Sequence, residues 1–287
     1  MKITDSCHRS HAQIGAELHW INYLSDHGVP VCRALPSVNG KLVETVSLRD
    51  IGDSSDLSFS LIAVDKAKGK LATFDDRDNA LIEQWGVITG LIHFLTRQYQ
   101  PPAGSERRFS WFDDGFMAWA TCSAESHSQP LVVEKCQDII RKLQSLPTDD
   151  DSFGLIHADL HHWNFFAAEG AMSIFDTDDC RYDWFAHDLA IPLFYSLFDP
   201  KRPGDRESFA REFFGYFIRG YRQENTIDDF WIERVPLFMK LRELDLYLLL
   251  LQEDKSSYDG WCRNFMKDRR DCIENDIPVI THSLTGL

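Results

Sequence analysis

The hydrophobic and polar positions of this chain change period as it proceeds. In AQIGAELHWINYLS, residues 12–25, Ile14, Leu18, Ile21 and Leu24 recur at helical spacing, and His27-Gly28 followed by Pro30 predicts the stop. The next stretch, VPVCRALPSVNGKLVETV, reads as two extended segments around Asn39-Gly40, a dipeptide suited to a tight hairpin turn. A polar loop, RDIGDSSD, leads into a buried strand from about Ser58 to Val64, which exits through a Lys/Gly turn. From Asn79 onward the period is helical: NALIEQWGVITGLIHFLTRQY carries Leu81, Ile82, Trp85, Ile88, Leu91, Ile92 and Leu95 on a broad stripe closed by Pro101-Pro102. LVVEKCQDIIRKLQSL, SFAREFFGYFIRGYRQ and VPLFMKLRELDLYLLLLQ predict three more helices, and between the first of them and the other two lie short apolar segments separated by polar loops. The pattern predicts an α+β protein with a small strand-rich N-terminal lobe over residues 1–66. A linker near Asp65 to Gly69 joins it to a larger helical lobe over residues 67–287, in which a short hairpin carries the polar clusters.

Composition narrows the class. A chain of 287 residues with 44% hydrophobic content can bury a large core. Its longest strongly apolar run, Leu246 to Leu251, falls far short of the ~20 residues needed to cross a bilayer, and the N-terminus has no charged-then-apolar signal pattern. A soluble cytoplasmic protein with no membrane partner is expected. The seven cysteines form no CxxC pair, and an odd count argues against a disulfide framework. A formal charge of −15 would repel a phosphate backbone, so nucleic acid is not an expected partner. That charge suits a cationic small substrate, although surplus surface carboxylates also serve solubility.

Candidate chemistry is concentrated in GLIHADLHHWNFF, Gly154 to Phe166. Asp159 and Asn164 stand five positions apart between two apolar pairs, and AMSIFDTDD then brings in Asp176 at the end of another apolar run. A carboxylate and an amide on one loop with a carboxylate on the facing turn form oxygen-rich surroundings suited to a hard cation such as Mg²⁺. One further carboxylate can then accept a hydroxyl proton, the division of labour that phosphoryl transfer from a nucleotide requires.

HADLHHWN resembles the catalytic loop H-x-D-x-x-x-x-N shared by protein kinases and the aminoglycoside phosphotransferase/choline kinase-like family. IFDTDD resembles that family's I-D-F-D-D segment, and HDLA at His187 to Ala190 its downstream D-L-A. The resemblance implies a protein kinase-like two-lobed fold and an ATP- and Mg²⁺-dependent kinase acting on a hydroxyl of a small molecule. It implies Asp159 as catalytic base or hydroxyl-orienting group, Asn164 and Asp176 as metal ligands, His157 as a brace of the loop and Asp188 as its anchor. Asp178 and Asp179 receive no individual role. The C-terminal helices resemble the family's substrate-covering subdomain, and no A-P-E segment of protein kinases is present. Asp178, Asp179 and Asp183 would suit a cationic amine or amino alcohol, or would be solvated loop carboxylates.

In the N-terminal lobe, Glu17 lies beside the apolar face of its helix and should need a cation there, with Lys2 as the candidate. The alternative is an exposed terminal Lys and a helix-edge Glu. KIT…AELHWINYL resembles the family's phosphate-contacting lysine strand and its helix glutamate, and LIAVDKAKG its interlobe linker, where backbone groups around Val64, Asp65 and Lys66 would meet the adenine. Gly86, Gly90 and His93 are expected to pack against neighbours. Kinase-like folds place two strands and a phosphate-covering loop before the lysine strand, whereas this sequence begins almost at the lysine. A start at an internal methionine or an open, weakened nucleotide site would each account for that. Two other readings stay open: a catalytically impaired phosphotransferase-like binding protein, and a metal-dependent hydrolase using His157, Asp159, His161 and His162.

Overall fold

A computed structural model describes residues 1–5, 9–47, 58–72, 78–113, 128–168 and 170–287. Strand β4 (Ser58–Val64) is the centre of the first sheet. It pairs antiparallel with β1 (Lys2–Asp5) on one side and β3 (Val43–Ser47) on the other, with Lys2 and Val43 both opposite Ile62, and β2 (Ala34–Leu35) pairs with its last two residues. The turn expected at Asn39-Gly40 is present: Gly40 has φ 75 and its N–H donates to Ser37 O at 2.9 Å. The flanking segments do not form the expected hairpin, because β2 and β3 each pair with β4. Pro36, lacking an N–H, follows β2 directly, and Ser37 and Asn39 instead donate to the Glu44 carboxylate at 2.6 and 2.8 Å.

Helix α1 (His11–Asp26) is capped by Ser10, whose side chain accepts from Gln13 N–H, and buries Ile14, Leu18, Trp20, Ile21 and Leu24. Residues 30–32 then bind the second sheet: Ile174 N–H donates to Pro30 O and Cys32 N–H to Ile174 O, both at 2.8 Å. That sheet is built from β5 (Lys70–Leu71), β7 (Phe165–Ala168) and β8 (Ala171–Ile174), in the order β5-β7-β8. A two-stranded ribbon pairs β6 (Phe153–Ile156) with β9 (Arg181–Trp184).

The core of the helical part is a contact between α2 (Asn79–Thr96) and α5 (Arg206–Glu224), with α3 (Pro130–Gln144) and α7 (Val235–Leu251) farther along. The two backbones of α2 and α5 approach through glycines: a Cβ on Gly86 would lie 1.9 Å from Phe217 O, and one on Gly220 1.9 Å from Glu83 O. Beside them Trp85 meets Phe165, Phe213 and Phe217 edge to face. Gly220→Ala is therefore expected to force the helices apart and lower unfolding free energy by about 1–3 kcal/mol, as overpacking does. A urea midpoint unchanged from wild type would contradict this packing.

Helix α4 (Phe185–Leu197) runs through the centre, with all 13 of its residues buried. Three short α-helices, α6 (Asp229–Ile232), α8 (Gly260–Met266) and α9 (Arg269–Glu274), and a 3₁₀ turn at Lys255–Ser257 complete the described C-terminal part. Among the described residues, no helix is long and apolar enough to cross a membrane.

Candidate active site

The loop between β6 and β7 is held by a buried carboxylate. Asp188, on the first turn of α4, accepts from His157 N–H at 3.0 Å and Ala158 N–H at 2.8 Å. His93 of α2 completes the anchor, its Nε2 lying 3.2 Å from Asp188 Oδ2 and its Nδ1 3.0 Å from the Tyr221 hydroxyl, while its ring stacks on Phe185. Burial holds the His93 ring below its ordinary pKa despite Asp188. A neutral ring that donates from Nε2 and accepts at Nδ1 satisfies both contacts. Ala158 sits at φ 65, a left-handed conformation costing of order 1–3 kcal/mol in a non-glycine residue, and the Asp188 hydrogen bonds hold it there.

Within the loop, Asn164 Nδ2 donates to both Asp159 O (2.8 Å) and Asp159 Oδ2 (3.0 Å). His161 accepts from Trp163 N–H at Nδ1, which leaves the proton on Nε2, 3.3 Å from Asp159 Oδ2. His157 Nδ1 accepts from Asp159 N–H at 3.3 Å, so this histidine braces the loop through its backbone and its ring. The other carboxylate oxygen of Asp159 accepts from Arg242 of α7. Burial opposes the charged form of Asp159, but Arg242 and the neighbouring His161 and His157 outweigh it and hold the carboxyl well below the usual range.

The hairpin register sets Asp176 against this loop. Phe165 pairs with Ile174, and Phe175 N–H donates to Asn164 O at 3.0 Å, so Asp176 follows directly on the residue opposite Asn164. Asp176, at φ 63, is exposed on one side, and crowding on the other removes part of its carboxyl's hydration; that loss, then the hydrogen bond and charge of Asp178, push its pKa up to about 6. Asp178 is displaced the other way: burial opposes its ionisation, and its hydrogen bond with Asp176 and its pairing with Lys2 favour it.

Lys2, Glu17, Val64 and Asp176 line one small cavity of about 80 Å³, whose other walls include Ile62, Ile174 and Thr177. Asp159 and Asn164 lie beyond that lining. Asp65 and Lys66 are exposed; the Asp65 N–H is committed to Arg33 O at 2.8 Å. A larger cavity of about 500 Å³, lined by Lys70, Leu81, Gln84 and Ala167 among others, contains none of these side chains, so size does not mark the chemistry here.

The expected pairing of Lys2 with Glu17 needs correction. Lys2 Nζ lies 2.9 Å from Asp178 and 3.6 Å from Asp176, whereas Glu17 accepts from the Thr177 hydroxyl at 2.8 Å. Burial pushes the Glu17 carboxyl up, opposed first by the charge of Arg108 and then by that of Lys2. Arg108 is buried, donating to Cys180 O at 2.7 Å, Gln13 O at 3.1 Å and Asp178 O, and so fastens α1 to the Asp176–Cys180 segment. Nothing periodic surrounds Arg108 in SERRF to mark it in the sequence. Arg242 left a fainter signal: it shares the stripe of Phe238 and Leu246, both buried, where a cation needs a partner.

The three carboxylates expected to suit a cationic ligand each already face a cation. Asp178 pairs with Lys2, Asp179 with Arg9 at 3.1 Å, and Asp183 is buried between Arg181 (3.0 Å) and His187 (2.8 Å). The histidines are likewise dispersed, and among the described residues no group of three or more His, Cys, Asp and Glu is placed to hold a metal ion. The hydrolase reading therefore finds no such group among the described residues. An Mg²⁺ site is a different matter, since Mg²⁺ is commonly held by one or two protein oxygens together with substrate phosphates and water, and Asn164 and the exposed Asp176 supply that chemistry.

A sequence profile of the phosphotransferase enzyme family matches residues 3–224. The chain belongs to that family. It is 33% identical to the amicoumacin kinase of Bacillus subtilis (strain 168), in an alignment that covers 100% of this chain and 84% of the relative. The fold matches a solved amicoumacin kinase, hAmiN, in complex with AMP-PNP, Ca²⁺ and Ami, with TM-score 0.89 and 34% identity over 99% of this chain and 83% of that one. It also matches a microcompartment-associated aminopropanol kinase, with TM-score 0.67 and 21% identity over 96% of this chain and 85% of that one. The protein kinase-like α+β fold follows, and this family member is an enzyme, a phosphotransferase of small molecules.

Proposed function

We propose that this protein transfers the γ-phosphoryl group of ATP to a hydroxyl of a small molecule, with Mg²⁺ as the divalent ion and amicoumacin as the first acceptor to test. The observation that carries the reading is the β7–β8 register, which sets Asn164, hydrogen-bonded to Asp159, against the residue before Asp176. Asp159 orients the acceptor hydroxyl and takes up its proton as the oxygen attacks phosphorus. Asn164 and Asp176 hold the metal ion, which when bound neutralises phosphate charge. Lys2, between Asp176 and Asp178, is the cation available to the donor's phosphates, and Val64 and Ile62 offer apolar walls to its base.

The test is incubation with Mg-ATP and a panel of hydroxyl compounds headed by amicoumacin, with phosphorylated product read by mass spectrometry. Binding of AMP-PNP with no phosphoryl transfer to any acceptor would favour the binding-protein alternative. Asp176→Ala is expected to weaken Mg-nucleotide binding by at least the ~10–100-fold that loss of an outer-shell partner costs a metal site. Calorimetry that finds wild-type affinity would remove Asp176 from the metal site.

A further inference from the structure

Asp159 is gripped from outside its own loop. Arg242, on α7, sends Nη2 to Asp159 Oδ1 (2.5 Å) and to the Tyr195 hydroxyl (2.6 Å), and Nη1 to Asp245 (2.9 Å) one turn along the same helix. Its guanidinium carbon stands 5.4 Å from the centre of the Tyr195 ring. The opposite oxygen, Oδ2, takes Asn164 and faces His161. The carboxylate is therefore fixed at one end by the catalytic loop and at the other by a helix more than 80 positions away in sequence.

We propose that Arg242 is a positioning residue, one that sets the direction in which Asp159 presents its remaining lone pair to the acceptor hydroxyl and ties that direction to the seating of α7. The proposal rests on the reading of Asp159 as the hydroxyl-orienting group. The terminal torsion of an aspartate is broad, so without a second anchor the carboxylate plane swings about the Asn164 contact. A carboxylate offers about four lone-pair sites, and the contacts to Arg242, Asn164 and His161 leave room for a hydroxyl. Misplacing a reacting group by about 1 Å costs ~10²-fold in rate. The Arg242 guanidinium engages Asp159, Tyr195 and Asp245 at once, so its planar fork is fixed in place independently of any acceptor.

The experiment is a double-mutant cycle on the full chain, with Arg242→Met, Arg242→Lys, Asp159→Asn and the double variant Asp159→Asn/Arg242→Met. Turnover is measured with ATP and amicoumacin or, if wild type does not phosphorylate amicoumacin, as hydrolysis of ATP with water as acceptor. AMP-PNP binding and thermal midpoint are measured alongside. Arg242→Met is expected to lower kcat by about 10–100-fold with AMP-PNP affinity retained. Arg242→Lys, which keeps the charge but loses the fork, falls between Arg242→Met and wild type. The double variant is expected to be no slower than Asp159→Asn, because both changes remove the same function. Wild-type kcat in Arg242→Lys and Arg242→Met, or losses that multiply in the double variant, would overturn the proposal. Should Arg242→Met not fold, Arg242→Lys decides alone, with wild-type kcat overturning the proposal. Wild-type turnover in Asp159→Asn is the separate result that sinks the reading of Asp159 itself.

Discussion

Asp159→Asn is expected to lower turnover by ~10²-fold or more while nucleotide affinity stays nearly unchanged, the signature of lost acid–base and orienting catalysis. Asp159 lies outside the lining of the cavity that Lys2, Val64 and Asp176 share, so its replacement leaves the groups proposed to meet the nucleotide in place. An asparagine cannot reproduce its contacts. Arg242, Asn164 and the Nε2–H of His161 all point donors at the two carboxylate oxygens, and an amide must turn its own donor toward one of them. Steady-state kinetics with AMP-PNP calorimetry checks both halves. Equal losses of turnover and affinity would mean that the residue serves nucleotide binding.

The second large effect is on folding. Asp188→Ala strips the acceptor from His157 N–H, Ala158 N–H and His93 Nε2 in a site closed to water. Leaving a buried donor unsatisfied costs about 1–3 kcal/mol, and three such donors are left here. Asp188→Asn keeps a single acceptor oxygen, so it is expected to lie between alanine and wild type. Burial opposes ionisation of Asp188, yet the hydrogen bonds it accepts from His93 and from the Ala158 N–H hold its carboxyl below the ordinary value. A depressed carboxyl contributes stability that is complete above its unfolded pKa of ~3.9 and is lost as pH falls through the folded value. The gap between wild type and Asp188→Ala in urea unfolding is therefore expected to be widest near neutral pH and to narrow in acid. A gap that widens below pH ~4 would contradict the assignment of charge to Asp188.

Period and spacing made much of this molecule legible. Helices α1, α2, α5 and α7 carry apolar stripes, and the β4 strand stands as a short apolar run with turn residues after it. The segments that carry Asp159, Asn164 and Asp176 stand out in local sequence, and the structure brings them together through the Asn164 hydrogen bonds and the β7–β8 register. Helix α4 was not legible as a helix: a segment buried on every side has no polar face to set a period, and Pro192 inside it reads as a breaker. The ionic contacts were the least readable part. Lys2 could be matched to Glu17 by helix position, but the choice of Asp178 over Glu17 depends on how β1 meets the Asp176–Cys180 segment, and the burial of Arg108 depends on α1 packing over it. Both are long-range outcomes that no window of sequence contains.

The β7–β8 hairpin has a mechanical consequence. Asn164 and Asp176 are joined through a single ribbon whose two arms are hydrogen-bonded along their length, so the separation between them behaves as a stiff local coordinate. Lys2 belongs to a different sheet and reaches Asp176 only through its long side chain. Any hinge motion between the two sheets therefore stretches the distance from the lysine to the acidic turn first, and leaves the amide-to-carboxylate spacing at the mouth of the loop almost as it was.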